Sequence, residues 1–242
     1  MPESLNFSLL QHIYSKNDKY EQLFNKLAPF ENQSNSGLTQ RKNEIIELWT
    51  LFERINPKII LEIGVAQGGT FAGWCQLACD DALLIGIDRD VNDCWPREGN
   101  QINPDIADHC NSMTQFGGGM WALKRRGSHQ TIIPINGWTY EKRVMDELFE
   151  VLDGKLIDFL FHDASHKYED AKRDWELFWP LVSPGGVFVM HDIGTCDASE
   201  VTKCRLWREI RDNGPQCVTY SYQYADRLNS SLGIGILFKS NE

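Results

Sequence analysis

No Cys-x-x-Cys pair occurs among the seven cysteines, and their spacing matches neither a zinc site nor a disulfide framework. Cys75 and Cys79 stand four positions apart, on one face of a helix, and read as buried thiols rather than ligands. A reducing, cytoplasmic setting is therefore expected. Basic residues are in deficit: 24 Lys and Arg against 34 Asp and Glu leave a net charge of −10. That balance argues against nucleic acid as the main partner, because phosphates call for a basic surface. The one local exception, "LKRRG" at 123–127, reads as a solvated helix end. No apolar run reaches the roughly 20 residues of a membrane span. The opening "MPESLNFSLL" lacks the basic and apolar regions of a signal peptide, so no leader and no membrane partner are expected. Internal repeats and low-complexity tracts are also missing.

What is present suits one large domain. The chain has 242 residues, 42% of them hydrophobic, with eight tryptophans to fill a core. Residues 1–56 read as an N-terminal helical appendage. Leu5, Leu9, Leu10, Ile13 and Tyr14, then Tyr20, Leu23, Phe24 and Leu27, fall at helical spacing. Pro29 and "ENQSNSG" interrupt, and a longer helix is predicted from about Thr39 to Arg54, closed by Pro57. Such an appendage could dock on a second subunit, making a homo-oligomer, or pack over its own active site.

From residue 57 to 242 the texture is that of a main domain. Continuous apolar runs at 58–64, 82–88, 131–136, 156–163 and 185–192 alternate with helical patterns at 69–79, 140–152, 168–181 and 200–212. Runs without polar alternation indicate strands buried on both faces, as in a parallel sheet covered by helices. The last segments, 217–224 and 232–239, have no helix between them and should form an antiparallel hairpin, giving seven strands. Residues 89–130 are too long for an ordinary connection and carry Trp95, Trp121 and three glycines at 117–119. They read either as a substrate loop or as a surface loop with minor helices.

In open parallel sheets, ligands bind beyond the carboxyl ends of the strands. The first strand runs into "LEIGVAQGGT" (61–70), where Gly64, Gly68 and Gly69 allow sharp turns and close ligand approach. The spacing is not the G-x-G-x-x-G of a dinucleotide site, because Ala66 stands where the second glycine would be. That counts against an NAD-type oxidoreductase. Asp88 ends the second strand, where a carboxylate can accept both hydroxyls of a ribose. The third strand ends in "NGWT" (136–139), which could flank an adenine or simply turn.

The runs "FHDASHKY" (161–168) and "GGVFVMHD" (185–192) both end in His and Asp. On adjacent strands Asp163 and Asp192 can converge, and two close carboxylates repel unless a cation or proton lies between them. Oxygen ligands of this kind suit Mg²⁺ or Mn²⁺. The alternative is that these are polar strand ends with no metal. His162 reads as structural, and Trp175 and Trp179, at helical spacing, as core.

Glu62, Gly64, Gly68 and Gly69, then Asp88, then "FHDASHKYEDAKRDWELFWPLVSPGGVFVMHD" resemble the class I S-adenosylmethionine-dependent methyltransferases. The resemblance covers roughly residues 58–192, and is narrowest to the branch with macrolide-sugar and rhamnosyl O-methyltransferases and cephalosporin-hydroxylase-like proteins. It implies a Rossmann-like, doubly wound α/β sheet of order 3-2-1-4-5-7-6 with strand 7 antiparallel. It implies S-adenosyl-L-methionine as cofactor, held by Glu62, Gly64, Gly68, Thr70, Asp88, Asn136, Gly137 and Asp163. It also implies a divalent cation, Mg²⁺ first and Mn²⁺ next, on Asp163, His191 and Asp192, with His166 as general base beside Asp163. His191 departs from the family pattern, which has an acidic ligand there, and an imidazole suits Mn²⁺, Fe²⁺ or Zn²⁺ better than Mg²⁺. The expected activity is O-methylation of a hydroxylated small molecule, a sugar or natural-product scaffold. A noncatalytic cofactor-binding partner of another enzyme is the alternative from a different class.

Overall fold

The computed structural model describes residues 18–27, 38, 40–66, 68–89, 124–125, 127–193, 202–214, 217–222 and 233–241. The expected helix around Leu5–Tyr14 and nearly all of the 89–130 connection, with Trp95 and Trp121, lie outside the described residues.

The elements in chain order are α1 (Asp18–Leu27), α2 (Lys42–Ile55), β1 (Ile59–Ile63), α3 (Gly69–Leu77), β2 (Leu83–Asp88), β3 (Thr131–Asn136), α4 (Lys142–Leu152), β4 (Ile157–His162), α5 (Tyr168–Phe178), a 3₁₀ turn (Trp179–Leu181), β5 (Val182–His191), α6 (Lys203–Asn213), β6 (Cys217–Tyr222) and β7 (Ile234–Lys239). The seven strands form one sheet in the order β3-β2-β1-β4-β5-β7-β6. β1 through β5 pair in parallel, and β7 runs antiparallel to both β5 and β6. The seven strands are those expected from the apolar runs, and their order, with β7 antiparallel, is the one the resemblance implies.

Alternate residues of the central strands feed two cores. Ile60, Leu84, Phe159, Phe161, Val187 and Val189 pack on one face; Leu61, Ile63, Ile85, Leu160, Phe188 and Met190 pack on the other. The second face is covered by Val144 and Leu148 of α4, Phe178 of α5 and Trp207 of α6. Trp175 stacks on Trp179 at 4.6 Å between ring centres and meets Phe188 edge-on at 5.1 Å, so both, though only partly buried, pack against the core.

The first face is covered by α3 and by the N-terminal helices. Ile45, Leu48, Trp49 and Phe52 form the buried stripe of α2, and Asn56 in the left-handed conformation ends it. Phe52 lies 5.0 Å from Trp74 and 4.9 Å from Phe159, ring centre to ring centre. Tyr20 and Leu27 of α1 join the same core. The N-terminal helices thus share a core with the sheet rather than standing apart from it, and α2 reaches the strand ends where the site lies.

Candidate active site

Gly64 follows β1 with φ +87°, and a Cβ there would stand 2.3 Å from the Asp163 carbonyl oxygen. The ends of β1 and β4 therefore approach as closely as backbone allows, which only glycine permits. The chain then turns through Ala66, also left-handed at φ 46°, whose N–H donates to Asp88 Oδ2 at 2.8 Å. Beyond these strand ends lies a cavity of about 540 Å³, within the range of small-molecule sites. Gly64, Asp88, Gly137, Asp163 and His166 all line it. The rim carries Trp138 and Tyr140, 47% and 55% exposed and stacked on each other, with Arg89 over the first and Arg173 over the second.

The other expected cofactor residues do not line this cavity. Glu62 is buried and accepts the Trp74 indole N–H at 2.8 Å, and burial raises its carboxyl well above the usual range. Gly68 caps α3 with φ 83°. Thr70 is buried and donates to Gln40 Oε1 at 2.6 Å. Asn136 is exposed, and its carbonyl accepts from Arg143.

Asp163, just past β4, His191, the last residue of β5, and Asp192 do come together, with one potential ligand atom from each lying within 4.8 Å of the others. Asp192 takes a left-handed backbone, φ 60°, which aspartate tolerates better than most residues. His191 Nδ1 lies 3.1 Å from Asp163 Oδ1 and 3.4 Å from Asp192 Oδ1. Burial alone would lower the His191 imidazole, but the Asp163 carboxylate outweighs it and holds the ring well above its ordinary value. Burial likewise would raise both carboxyls, yet His191 keeps Asp163 low, and His166 with His191 keeps Asp192 far below its usual range. His166 is 70% exposed, with Nδ1 3.1 Å from Asp192 Oδ2. His162 is fully buried, bonded to Asp174 at 2.9 Å, and its imidazole is lowered by burial. It does not line the cavity and is held by Asp174.

Three contributors were not foreseen. Gln40 donates to Asp163 Oδ2 at 2.8 Å. Glu44, fully buried on α2, brings Oε2 to 3.8 Å from His191 Nε2. Lys203, at the start of α6, is 1% exposed, and its charge acts on both Asp163 and Asp192. Glu44 precedes Leu48 and Leu51 by four and seven positions, so an acid on an apolar stripe was the available signal. Gln40 and Lys203 carried no comparable mark.

Both centres fit what the resemblance implies. A glycine cradle that a Cβ would fill, facing an acid at the end of β2, fits a nucleoside cofactor. Two carboxylates and an imidazole at ligand distance fit a divalent cation.

A family described as "Methyltransferase domain" matches residues 61–193. Among solved structures, an O-methyltransferase from Bacillus cereus, in complex with SAH, is 14% identical over 96% of this chain and 96% of that one, with a TM-score of 0.52. The O-methyltransferase TomG from Streptomyces achromogenes, involved in Tomaymycin synthesis and in complex with SAM, is 16% identical over 98% and 96%, with a TM-score of 0.50. No curated protein matches. A profile match over more than half of the chain, on a sheet of this order, shows that the chain belongs to the methyltransferase-domain family, with the fold of the class I enzymes.

Proposed function

We propose that this protein is an S-adenosylmethionine-dependent O-methyltransferase acting on a hydroxyl of a small molecule, a sugar or natural-product scaffold, with a divalent cation assisting. The observation that carries the reading is that one cavity is lined both by Asp88 and by His166. The acid that suits a ribose and the base that suits a hydroxyl thus face a common space. The two solved relatives, which bind SAH and SAM, support the choice of cofactor.

Bound S-adenosylmethionine supplies a methyl group made electrophilic by cationic sulfur, and a cation supplies a Lewis acid that lowers the barrier to losing a hydroxyl proton. The rest falls to the chain. Asp88, whose Oδ2 accepts the Ala66 N–H, is the carboxylate that would accept a ribose hydroxyl. The Asp192 carboxylate beside His166 Nδ1 favours the tautomer with the proton on that nitrogen. His166 Nε2 is left to take the proton of the acceptor hydroxyl as its oxygen bonds to the methyl carbon. Asp163, His191 and Asp192 would hold the cation. We place the protein in the cytoplasm, where Cys75, Cys79 and Cys204, none of them in a disulfide, would stay reduced.

Calorimetric titration with S-adenosylmethionine and with NAD, followed by a methyl-transfer screen of hydroxylated acceptors, tests the proposal. Binding of S-adenosylmethionine only, and a product heavier by one methylene unit, are expected. Absence of S-adenosylmethionine binding would overturn it. Binding without transfer to any acceptor would favour a noncatalytic role.

A further inference from the structure

Glu44 is a carboxylate with a fully buried side chain and, among the described residues, no hydrogen-bond partner at either oxygen. Unpaired buried charge is among the costliest arrangements a fold can hold. The ring nitrogen nearest to it, His191 Nε2, is also buried and without a partner. The two orphans face each other across 3.8 Å, slightly beyond a hydrogen bond. On the opposite edge of the same ring, Nδ1 is turned to Asp163 and Asp192. His191 is thus held between one carboxylate on one nitrogen and two on the other. A metal-bound histidine has this arrangement: one nitrogen on the cation, the other donating its N–H to a carboxylate behind it.

We propose that Glu44 is the positioning residue that fixes His191 as a nitrogen ligand, so that the Asp163–His191–Asp192 centre selects Mn²⁺ or a similar transition cation over Mg²⁺. The proposal rests on the reading of that centre as a cation site. Glu44 fixes the tautomer: with Nε2–H directed to its carboxylate, the Nδ1 lone pair is presented to the cation. Mg²⁺ gains little from an imidazole, whereas Mn²⁺ and later metals gain more. Gln40 acts from the same segment, holding Asp163 Oδ2 and leaving Oδ1 on the His191 side. The start of α2 therefore organises the ligand set from behind.

The test uses the full chain without cofactor and Mn²⁺ as the probe, followed by electron paramagnetic resonance. Wild-type protein should bind Mn²⁺, show nitrogen coupling from one imidazole in pulsed spectra, and require roughly a hundredfold or greater excess of Mg²⁺ to displace it. Glu44→Ala should weaken Mn²⁺ binding by about 10–100-fold. Glu44→Gln, whose amide oxygen can still accept from Nε2–H, should restore most of the affinity. Nitrogen coupling absent from the wild-type spectrum, or Mg²⁺ competing on equal terms, overturns the proposal while leaving a cation site in place, and both readouts need no variant. Unchanged affinity in a folded Glu44→Ala protein overturns it equally. Failure of the wild type to bind Mn²⁺ at millimolar concentration removes the cation site itself, and the proposal with it.

Discussion

The two sides of β1 solve different problems. Toward β2 and β3, the strand ends leave an open cavity lined there by Gly64, Asp88 and Gly137 and rimmed by exposed Trp138 and Tyr140. Toward β4 and β5, charged groups are packed against one another: His191 on Asp163 and Asp192, His166 on Asp192, Gln40 on Asp163. On the proposed function, the first side receives its partner from outside. The second is wired internally, so that carboxylates which would otherwise repel are already balanced by His191 and by buried Lys203. On the proposed function, binding and chemistry meet in one cavity with a glycine-lined half at Asp88 and a preorganised ionic half, and Asp163 and His166 of the ionic half line that same cavity.

The seam between the halves should be the most sensitive place. Gly64→Ala would put a methyl group 2.3 Å from the Asp163 carbonyl oxygen at a φ of +87°. Loss of cofactor binding and a large drop in melting temperature are expected from calorimetry and thermal melts; near-normal behaviour would show that β1 and β4 can separate without consequence. Next in size, His166→Ala should slow single-turnover methyl transfer by roughly 10²–10⁴-fold, with cofactor affinity little changed. A matching fall in cofactor affinity would blur the division between the halves. Asp88→Ala should do the reverse, weakening S-adenosylmethionine binding by roughly 1.5–3 kcal/mol, the range for bonds to a charged group, in calorimetric titration.

The effect of pH separates the halves again. Depressed carboxyls at Asp163 and Asp192 contribute stability that is present above the unfolded value of about 4 and is lost only as pH falls through their lower folded values. His191 has the opposite sign: its contribution is complete below about pH 6.5 and is lost as pH rises through its raised folded value. Cation-free protein should therefore keep its melting temperature well into the acid range and lose it on the alkaline side. The smallest effect is expected at Glu62. Its raised carboxyl makes ionisation at neutral pH costly, so Glu62→Gln should raise the melting temperature by a few degrees, about 2–4 °C per kcal/mol for a chain of this size. Cofactor affinity should be unchanged, because Glu62 lies off the cavity. A loss of affinity would return it to the binding half.

The sheet was legible because its signals are local. Apolar runs mark β1 to β5, the long uninterrupted runs point to burial on both faces, and the ends of those runs bring Asp88, Asp163, His166, His191 and Asp192 to one edge. Glu62 and Thr70 illustrate where motif reading stops. Both belong to the glycine-rich segment, yet Glu62 shares a face of β1 with Ile60, toward Trp74, while Ile63 faces the cavity. The two-residue period of the strand contains that distinction; the motif does not. Gln40 was out of reach for another reason, and for Glu44 an acid on an apolar stripe signals burial but not what it meets. Their partners lie more than a hundred residues along the chain, and no local pattern encodes which strand end a preceding helix will reach.

That separation has a consequence for synthesis. The bond from Gln40 to Asp163 spans 123 residues, and Glu44 waits longer still for His191. On a ribosome α2 emerges early, carrying a carboxylate whose counterpart does not yet exist. Water is the better environment for Glu44 until β5 has left the exit tunnel, so firm seating of α2 on the nascent sheet belongs to the end of translation. A chain interrupted before residue 191 would hold Trp49 and Phe52 on a helix with an uncompensated charge beside them, a surface for chaperones to recognise.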